Sequence, residues 1–144
     1  MATARALSDY PLRTYDKVRY ADTDRQGHVN NAVFATFFET GRVELLYDPQ
    51  RGILEAGKAF VIARLELDLQ AEITWPGTIE IGTAVTRIGR SSVGLGQALF
   101  QNQRCVARAD SVIVLTDETT RRSSPLSRAA IDQLSTLLLP AAEE

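Results

Sequence analysis

Asn30–Leu46 reads NNAVFATFFETGRVELL, and its period decides what the rest of the chain must build. Val33, Phe34, Phe37, Phe38, Gly41, Leu45 and Leu46 recur at the spacing of one helical face, while Thr36, Glu39, Thr40, Arg42 and Glu44 fall mainly on the other. Such a helix must bury its phenylalanines against another element. Asn30 is the expected N-cap, because its side-chain oxygen can accept a hydrogen bond from an orphan amide of the first turn. Asp48-Pro49 supplies the stop.

Beyond the helix the period changes from 3.6 to two. Val61, Ala63, Leu65, Leu67, Leu69, Ala71 and Ile73 occupy the odd positions, and Arg64, Glu66, Asp68, Gln70 and Glu72 most of the even ones, which predicts a long half-buried strand. Trp75-Pro76-Gly77-Thr78 carries the Pro-Gly centre of a type II turn into a strand over Thr78–Ile88. Gly89-Arg90 predicts a tight hairpin into Ser91–Gln101, and Asn102-Gln103 a second one into Arg104–Thr116. With Thr14–Tyr20 as a first strand, the result is an antiparallel meander. In the last strand Cys105, Ala107 and Ile113 are expected to face inward, and Val106, Val112 and Val114 to face away. Residues 1–12 read as an N-terminal arm with Pro11 as a breaker, and residues 125–144 as a short closing helix with its tail, capped by Ser127 and stopped by Pro140. One central helix and about five long strands define an α+β class, in which the sheet must cover the helix.

Composition narrows the function. A chain of 144 residues fits one compact domain, so residues 1–144 are expected to form a single unit. A hydrophobic fraction of 44% and a charged fraction of 24% suit a globular protein rather than a disordered one. A net charge of −2 argues against a general nucleic-acid binder, which carries an excess of Lys and Arg. Cys105 is the single cysteine and has no Cys/His cluster around it, so neither a disulfide framework nor a structural zinc site is available and a reducing compartment is expected. MATARALSDYPLR lacks the apolar core of a secretory signal, and no run approaches the roughly 20 apolar residues of a membrane span, so the expected location is the cytoplasm.

Arg19–Arg42, RYADTDRQGHVNNAVFATFFETGR, resembles the N-terminal signature of the hotdog-fold acyl-CoA thioesterases, particularly the 4-hydroxybenzoyl-CoA thioesterase-like group. The specific part of the resemblance runs from Asp22 to Glu39, and the order of elements agrees over Tyr15 to Thr116. It implies a hotdog fold, a long antiparallel sheet wrapped around the central helix. It also implies hydrolysis of an acyl thioester to a carboxylic acid and free coenzyme A, with no metal and no cofactor other than the coenzyme A of the substrate. The second acidic residue of the D-x-D pattern, Asp24, takes the role of nucleophile or of general base for water. The carbonyl-polarising amide falls on Asn31, where free helix amides carry a partial positive charge. An Asx turn is the structural account of the same aspartate.

His28 is similar to the histidine in the H-V-N-N run of plant acyl-carrier-protein thioesterases, which implies a part in orienting water or moving a proton. Those enzymes carry an asparagine where this chain has Gln26. Gln26, Gly27, Asn30 and Glu39 are the substrate-contact candidates, Gly27 through close approach and Glu39 through the acyl pocket. In the hairpin RIGRSS, Arg87, Arg90, Ser91 and Ser92 are the candidates for the coenzyme A nucleotide, since guanidinium groups and hydroxyls suit phosphate. The partner is therefore an acyl-CoA or an acyl-carrier-protein thioester, with no nucleic acid and no membrane. A homodimer or homotetramer is also implied, because relatives of this kind place each site at a subunit boundary. A hotdog enoyl-thioester hydratase or dehydratase and a non-catalytic acyl-thioester binding module are the competing classes.

Overall fold

The computed structural model describes residues 5–140. Its regular elements are β1 (Leu12–Val18), α1 (Asn31–Leu46), β2 (Lys58–Leu69), β3 (Gly77–Ile88), β4 (Ser92–Gln101), β5 (Arg104–Asp117) and α2 (Arg128–Ser135), with 3-10 turns at Leu7–Asp9 and Tyr20–Asp22. The strands form one antiparallel sheet in the order β1-β3-β4-β5-β2, and α1 lies across its concave face. This is the hotdog arrangement that the family resemblance implies, with the helix-then-meander order that the pattern predicts. No helix among the described residues is long and apolar enough to cross a membrane.

α1 begins where the cap requires: the Asn30 side chain accepts from the Ala32 amide at 3.0 Å. Its buried face carries Phe34, Phe37, Phe38, Gly41, Leu45 and Leu46. The concave core divides in two. One cluster holds the phenylalanines against Ile79, Ile81, Leu99, Ala107 and Ala109, and the other holds Leu45 and Leu46 against Val85, Leu95, Ile113, Leu115 and α2. Between them runs a polar row, Thr83 on β3, Gln97 opposite it on β4 and Ser111 two pairs further along on β5. Gln97, 2% exposed, donates through Nε2 to the Phe38 carbonyl and to Thr83 Oγ1, both at 3.0 Å. Gly41 makes room for that bond. A Cβ there would stand 2.7 Å from Gln97 Nε2 and from Thr83 Oγ1.

Several sequence expectations need correction. β1 ends at Val18, and Tyr20 belongs to a 3-10 turn. The Trp75–Pro76 peptide is cis and Gly77 lies outside the left-handed region that a type II turn demands, so the predicted turn type is not formed. β2 stops at Leu69 and skips register between Ile62 and Arg64, so that even residues face the concave side before Ala63 and odd ones after it. It is an edge strand that α1 meets only near its far end, where Leu67 packs against the phenylalanine cluster, and Ile62, Leu65 and Leu69 stay exposed. A second irregularity, between Leu99 and Phe100, places Val106 in the concave core beside Ala107. Cys105 is thereby turned to the opposite face, where it packs with Tyr10, Ala98 and Phe100. Ile113 faces inward as expected, and Val112 and Val114 are half-buried.

Both ends of the chain are used. Within the arm Tyr10 is buried over Gly82, a contact that a side chain at Gly82 would block at 2.6 Å. The tail after α2 pairs with β3, where Val85 donates to Leu137 O and accepts from the Leu139 amide, each at 2.8 Å. Residues 1–4 and 141–144 of the predicted arm and tail lie outside the described residues. Asn102 and Gln103, with φ of 52° and 68°, make the mirror-type hairpin turn, a left-handed backbone that an asparagine adopts readily.

The contact of Gly41 with the polar row sets a first test. Gly41→Ala should overpack it and lower stability by about 1–3 kcal/mol, read as a reduced urea midpoint with unchanged slope.

Candidate active site

The loop between β1 and α1 is tied down at both ends. Asp22 is 2% exposed, accepts from the Arg19 amide at 2.8 Å and from Arg19 Nη2 at 2.8 Å, and offers its carbonyl to the Asn30 amide at 2.9 Å. Burial alone would raise its pKa, but the hydrogen bonds and charge of Arg19 outweigh burial and hold the carboxyl below the ordinary range. Asp22 is thus the structural member of the D-x-D pair.

Asp24 is exposed and differently engaged. Its Oδ1 accepts from the Gln26 amide at 2.9 Å and the His28 amide at 3.3 Å, while its own amide donates to His28 O at 2.7 Å. The Asx turn is real, and it leaves Oδ2 without a partner among the described residues. Gly27 closes the turn with φ +82° and donates to Asp24 O at 3.0 Å. A Cβ at Gly27 would meet nothing within 4 Å, so the glycine serves the left-handed backbone rather than clearing space in this chain. The Asn31 amide, first in α1, makes no hydrogen bond among the described residues.

Asp24, Gln26, His28 and Asn31 come together in one open cleft of about 360 Å³, floored by Phe34 and walled by Leu69 at the end of β2 and by the segment from Gln70 to Glu72 that follows it. A bridge between His28 and Thr74 and a bond from the Val29 amide to Ile73 O sew the loop to that wall. The bridge carries Glu72 into place, with its Oε2 3.1 Å from His28 Nε2. Sequence reading missed Glu72. It occupies an ordinary polar position of an alternating stretch, and only the pairing of two segments more than forty residues apart exposes its partner. Trp75 is half-exposed and meets Tyr20 edge-on at 5.1 Å beside the loop.

Other candidates lie elsewhere. Asn30 is exposed but spends its side chain on the cap, and Glu39 is exposed on α1 outside the cleft lining. Arg87, Arg90, Ser91 and Ser92 do form one hairpin, with Arg87 Nη2 donating to Ser92 Oγ at 3.4 Å. That hairpin is anchored to the far end of β5, where the Leu115 amide donates to Ser91 O. Asp24 sits instead by the start of β3, and the whole of β3, Gly77–Ile88, separates the two. At about 3.3 Å per residue this is roughly 35 Å, too far for both to serve one ligand within one chain. Among the described residues no three His, Cys, Asp or Glu side chains converge to hold a metal ion.

Residues 18–134 match the thioesterase-like superfamily, and the chain belongs to that family. It is similar to the acyl-CoA thioester hydrolase YbgC of Escherichia coli, 26% identical over 112 residues that cover 76% of this chain and 81% of the relative. Among solved structures it resembles a Pseudomonas aeruginosa protein, with a TM-score of 0.85, 26% identity and coverage of 94% and 97% of the two chains. A thioesterase from Thermus thermophilus, solved with coenzyme A and zinc, superposes with a TM-score of 0.77 at 29% identity, covering 90% and 95%.

The lowered pKa of Asp22 gives a pH signature. A depressed carboxyl contributes stability above its unfolded pKa of about 3.9, and that contribution is lost as pH falls through the lower folded value. Asp22→Asn should therefore be less stable than wild type at pH 7, with the difference shrinking on acidification below about pH 4, as read by thermal melts across pH.

Proposed function

We propose that this chain hydrolyses an acyl-CoA thioester to a carboxylic acid and free coenzyme A, and that its working unit is a homodimer. One observation carries the reading: a carboxylate with a free oxygen, Asp24, shares a cleft with an unpartnered helix amide, Asn31. Membership of the thioesterase-like superfamily supports it, as do the names of the relatives and the coenzyme A in the Thermus structure.

The chemistry follows from that pairing. The thioester oxygen lies at the Asn31 amide, where the helix terminus stabilises the negative charge that develops on attack. Asp24 Oδ2 either attacks the carbonyl carbon or takes a proton from the water that does; the carbon–sulfur bond then breaks and the coenzyme A thiolate leaves and is protonated, and in the first route water then hydrolyses the mixed anhydride, which frees the carboxylic acid and restores Asp24. The Asx turn keeps the carboxylate aimed by occupying Oδ1 alone. His28, held by Glu72, orients the water or the thioester, and Gln26 lines the mouth of the cleft.

The dimer resolves the separation between hairpin and loop. β2 is an unpaired edge with an apolar concave face. Two copies joined there antiparallel about a two-fold axis set the start of one β2 beside the end of the other. The hairpin of one chain, which lies near the start of its own β2 through β5, then approaches the loop of its partner. Arg87, Arg90, Ser91 and Ser92 would hold the nucleotide of a coenzyme A whose thioester lies at the other chain's Asp24.

Asp24→Asn should fold normally and lose at least about 100-fold in kcat for thiol release. His28→Ala should lose less, and near-normal turnover of Asp24→Asn would remove the assignment. Single turnover in ¹⁸O water separates the two chemical routes, since label enters Asp24 only if it attacks the carbonyl. Light scattering should show at least a dimer. Mixing Asp24→Asn with an Arg87→Ala, Arg90→Ala double variant should restore activity at low substrate that neither has alone; no recovery after subunit exchange would reject the shared site.

A further inference from the structure

Glu72 is the one charged side chain lining the cleft that the motif before α1 does not supply, and its backbone is held on both sides. His28 bridges Thr74 and the Val29 amide donates to Ile73 O at 3.0 Å, so the loop runs antiparallel to the segment from Glu72 to Thr74, with Glu72 diagonal to His28 on the same face. Thr74 is locked in turn. Its amide and hydroxyl donate to Gln101 Oε1 at 3.0 and 3.3 Å, and Gln101 Nε2 donates to Thr74 O at 2.9 Å. Gln101 is buried and Gly77 makes room for it, since a Cβ there would stand 2.7 Å from Gln101 Nε2. Ahead of Glu72, the Gln70 and Ala71 amides both donate to Val106 O, at 2.9 and 3.0 Å. Glu72 is thus carried on backbone tied to β5 before it and to β4 after it.

Stability does not account for the contact this carboxylate makes. Glu72 is 67% exposed and the His28 ring 34%, and an ion pair so open to water contributes little to folding. The contact does have a definite polarity. A carboxylate only accepts hydrogen bonds, so the His28 Nε2 that lies 3.1 Å from Glu72 Oε2 carries a proton. In a neutral imidazole one nitrogen donates and the other accepts, which leaves Nδ1 as the acceptor. Nδ1 makes no hydrogen bond among the described residues. Asp24 holds only the main chain of His28, accepting from its amide through Oδ1 and donating to its carbonyl. Among polar groups, Glu72 alone therefore orients the ring. The cleft has no substitute for it: Asp24, Gln26, Asn31, Gln70 and Glu72 are its other polar residues, and none offers a nitrogen lone pair.

We propose that Glu72 is a positioning residue of this site: by accepting from Nε2–H it holds His28 in the tautomer whose Nδ1 accepts a hydrogen bond from the attacking water. The inference rests on the hydrolytic reading above and narrows the part of His28 within it. The water donates one O–H to Nδ1, which turns an oxygen lone pair toward the carbonyl carbon that Asn31 polarises. In the general-base route its other O–H faces Asp24 Oδ2; in the nucleophilic route the water that opens the mixed anhydride is held in the same way. The opposite tautomer would present N–H to the water, occupy the lone pair that must attack, and turn it from the carbon. A carboxylate that fixes an imidazole tautomer thus acts on kcat without touching the substrate.

His28 is the only histidine of the chain, so ¹⁵N-histidine labelling of the intact protein reads this one ring. Protonated and bare imidazole nitrogens resonate far apart, and exchange between tautomers averages them. At alkaline pH, where the imidazole is neutral, the wild-type protein should show Nε2 protonated and Nδ1 bare, and in Glu72→Leu the two signals should draw together. Glu72→Leu should also lower kcat for thiol release at least about fivefold with KM within about twofold, and cost nothing further in a His28→Ala background. Its thermal midpoint should match wild type, because the lost pair is exposed. A wild-type ring protonated on Nδ1, nitrogen shifts unchanged in Glu72→Leu, an unchanged kcat, or a loss that persists in full beside His28→Ala would each overturn the proposal while hydrolysis stands. Absence of thiol release from any thioester would remove the hydrolytic reading and the role of the water with it, and the nitrogen shifts would still decide whether Glu72 fixes the tautomer.

Discussion

The hydrogen bond from Gln97 to the Phe38 carbonyl sets the depth and position of α1 on the sheet. A side-chain amide reaches a helix carbonyl across a sheet only where the helix comes unusually close, and Gly41 supplies that closeness by presenting no side chain to Thr83, Gln97 and Ile81. Because α1 is held there, its N-terminus emerges beside the end of β2, and the Asn31 amide opens into the cleft that Asp24 enters from the loop. The two apolar clusters lie on either side of this polar contact, so the helix can neither slide nor roll without breaking it.

The same placement leaves one edge of the sheet uncovered. α1 packs over β1, β3 and β4, and it leaves β2 as an edge on which Leu65 and Leu69 remain in the open. Exposed apolar edges are an aggregation hazard unless a partner covers them. The separation of the Arg87–Ser92 hairpin from Asp24 points the same way, since two features suited to the two ends of one ligand stand at opposite ends of the sheet. The proposed second copy across β2 would answer both requirements through one symmetry operation.

Local chemistry was legible where it depends on near neighbours. The Asn30 cap, the Asn102-Gln103 turn and the Ser127 cap all appear where their side chains require them, because each interaction spans only a few residues. Alternation failed as a guide to burial in β2: its odd leucines do share a face beyond Ala63, but α1 covers other strands. In β5 one extra residue turned Cys105 and Val106 to faces opposite those the period assigned. A bulge leaves no mark in a hydrophobic pattern, since it depends on how the partner strand is paired.

The sequence by itself determined the class of the fold, through a change of period from helix to strand, and the contents of the loop before α1, through a compact motif between Asp22 and Asn31. Both are written in contiguous residues. Only the tertiary structure divided the two aspartates into a buried one bound to Arg19 and an exposed one with a free oxygen. It alone brought Glu72 to His28 and Gln97 to the Phe38 carbonyl. The reason is that burial, register and long-range hydrogen bonds are properties of pairs of segments, and a single chain of letters states what each segment can do but not which segment it will meet.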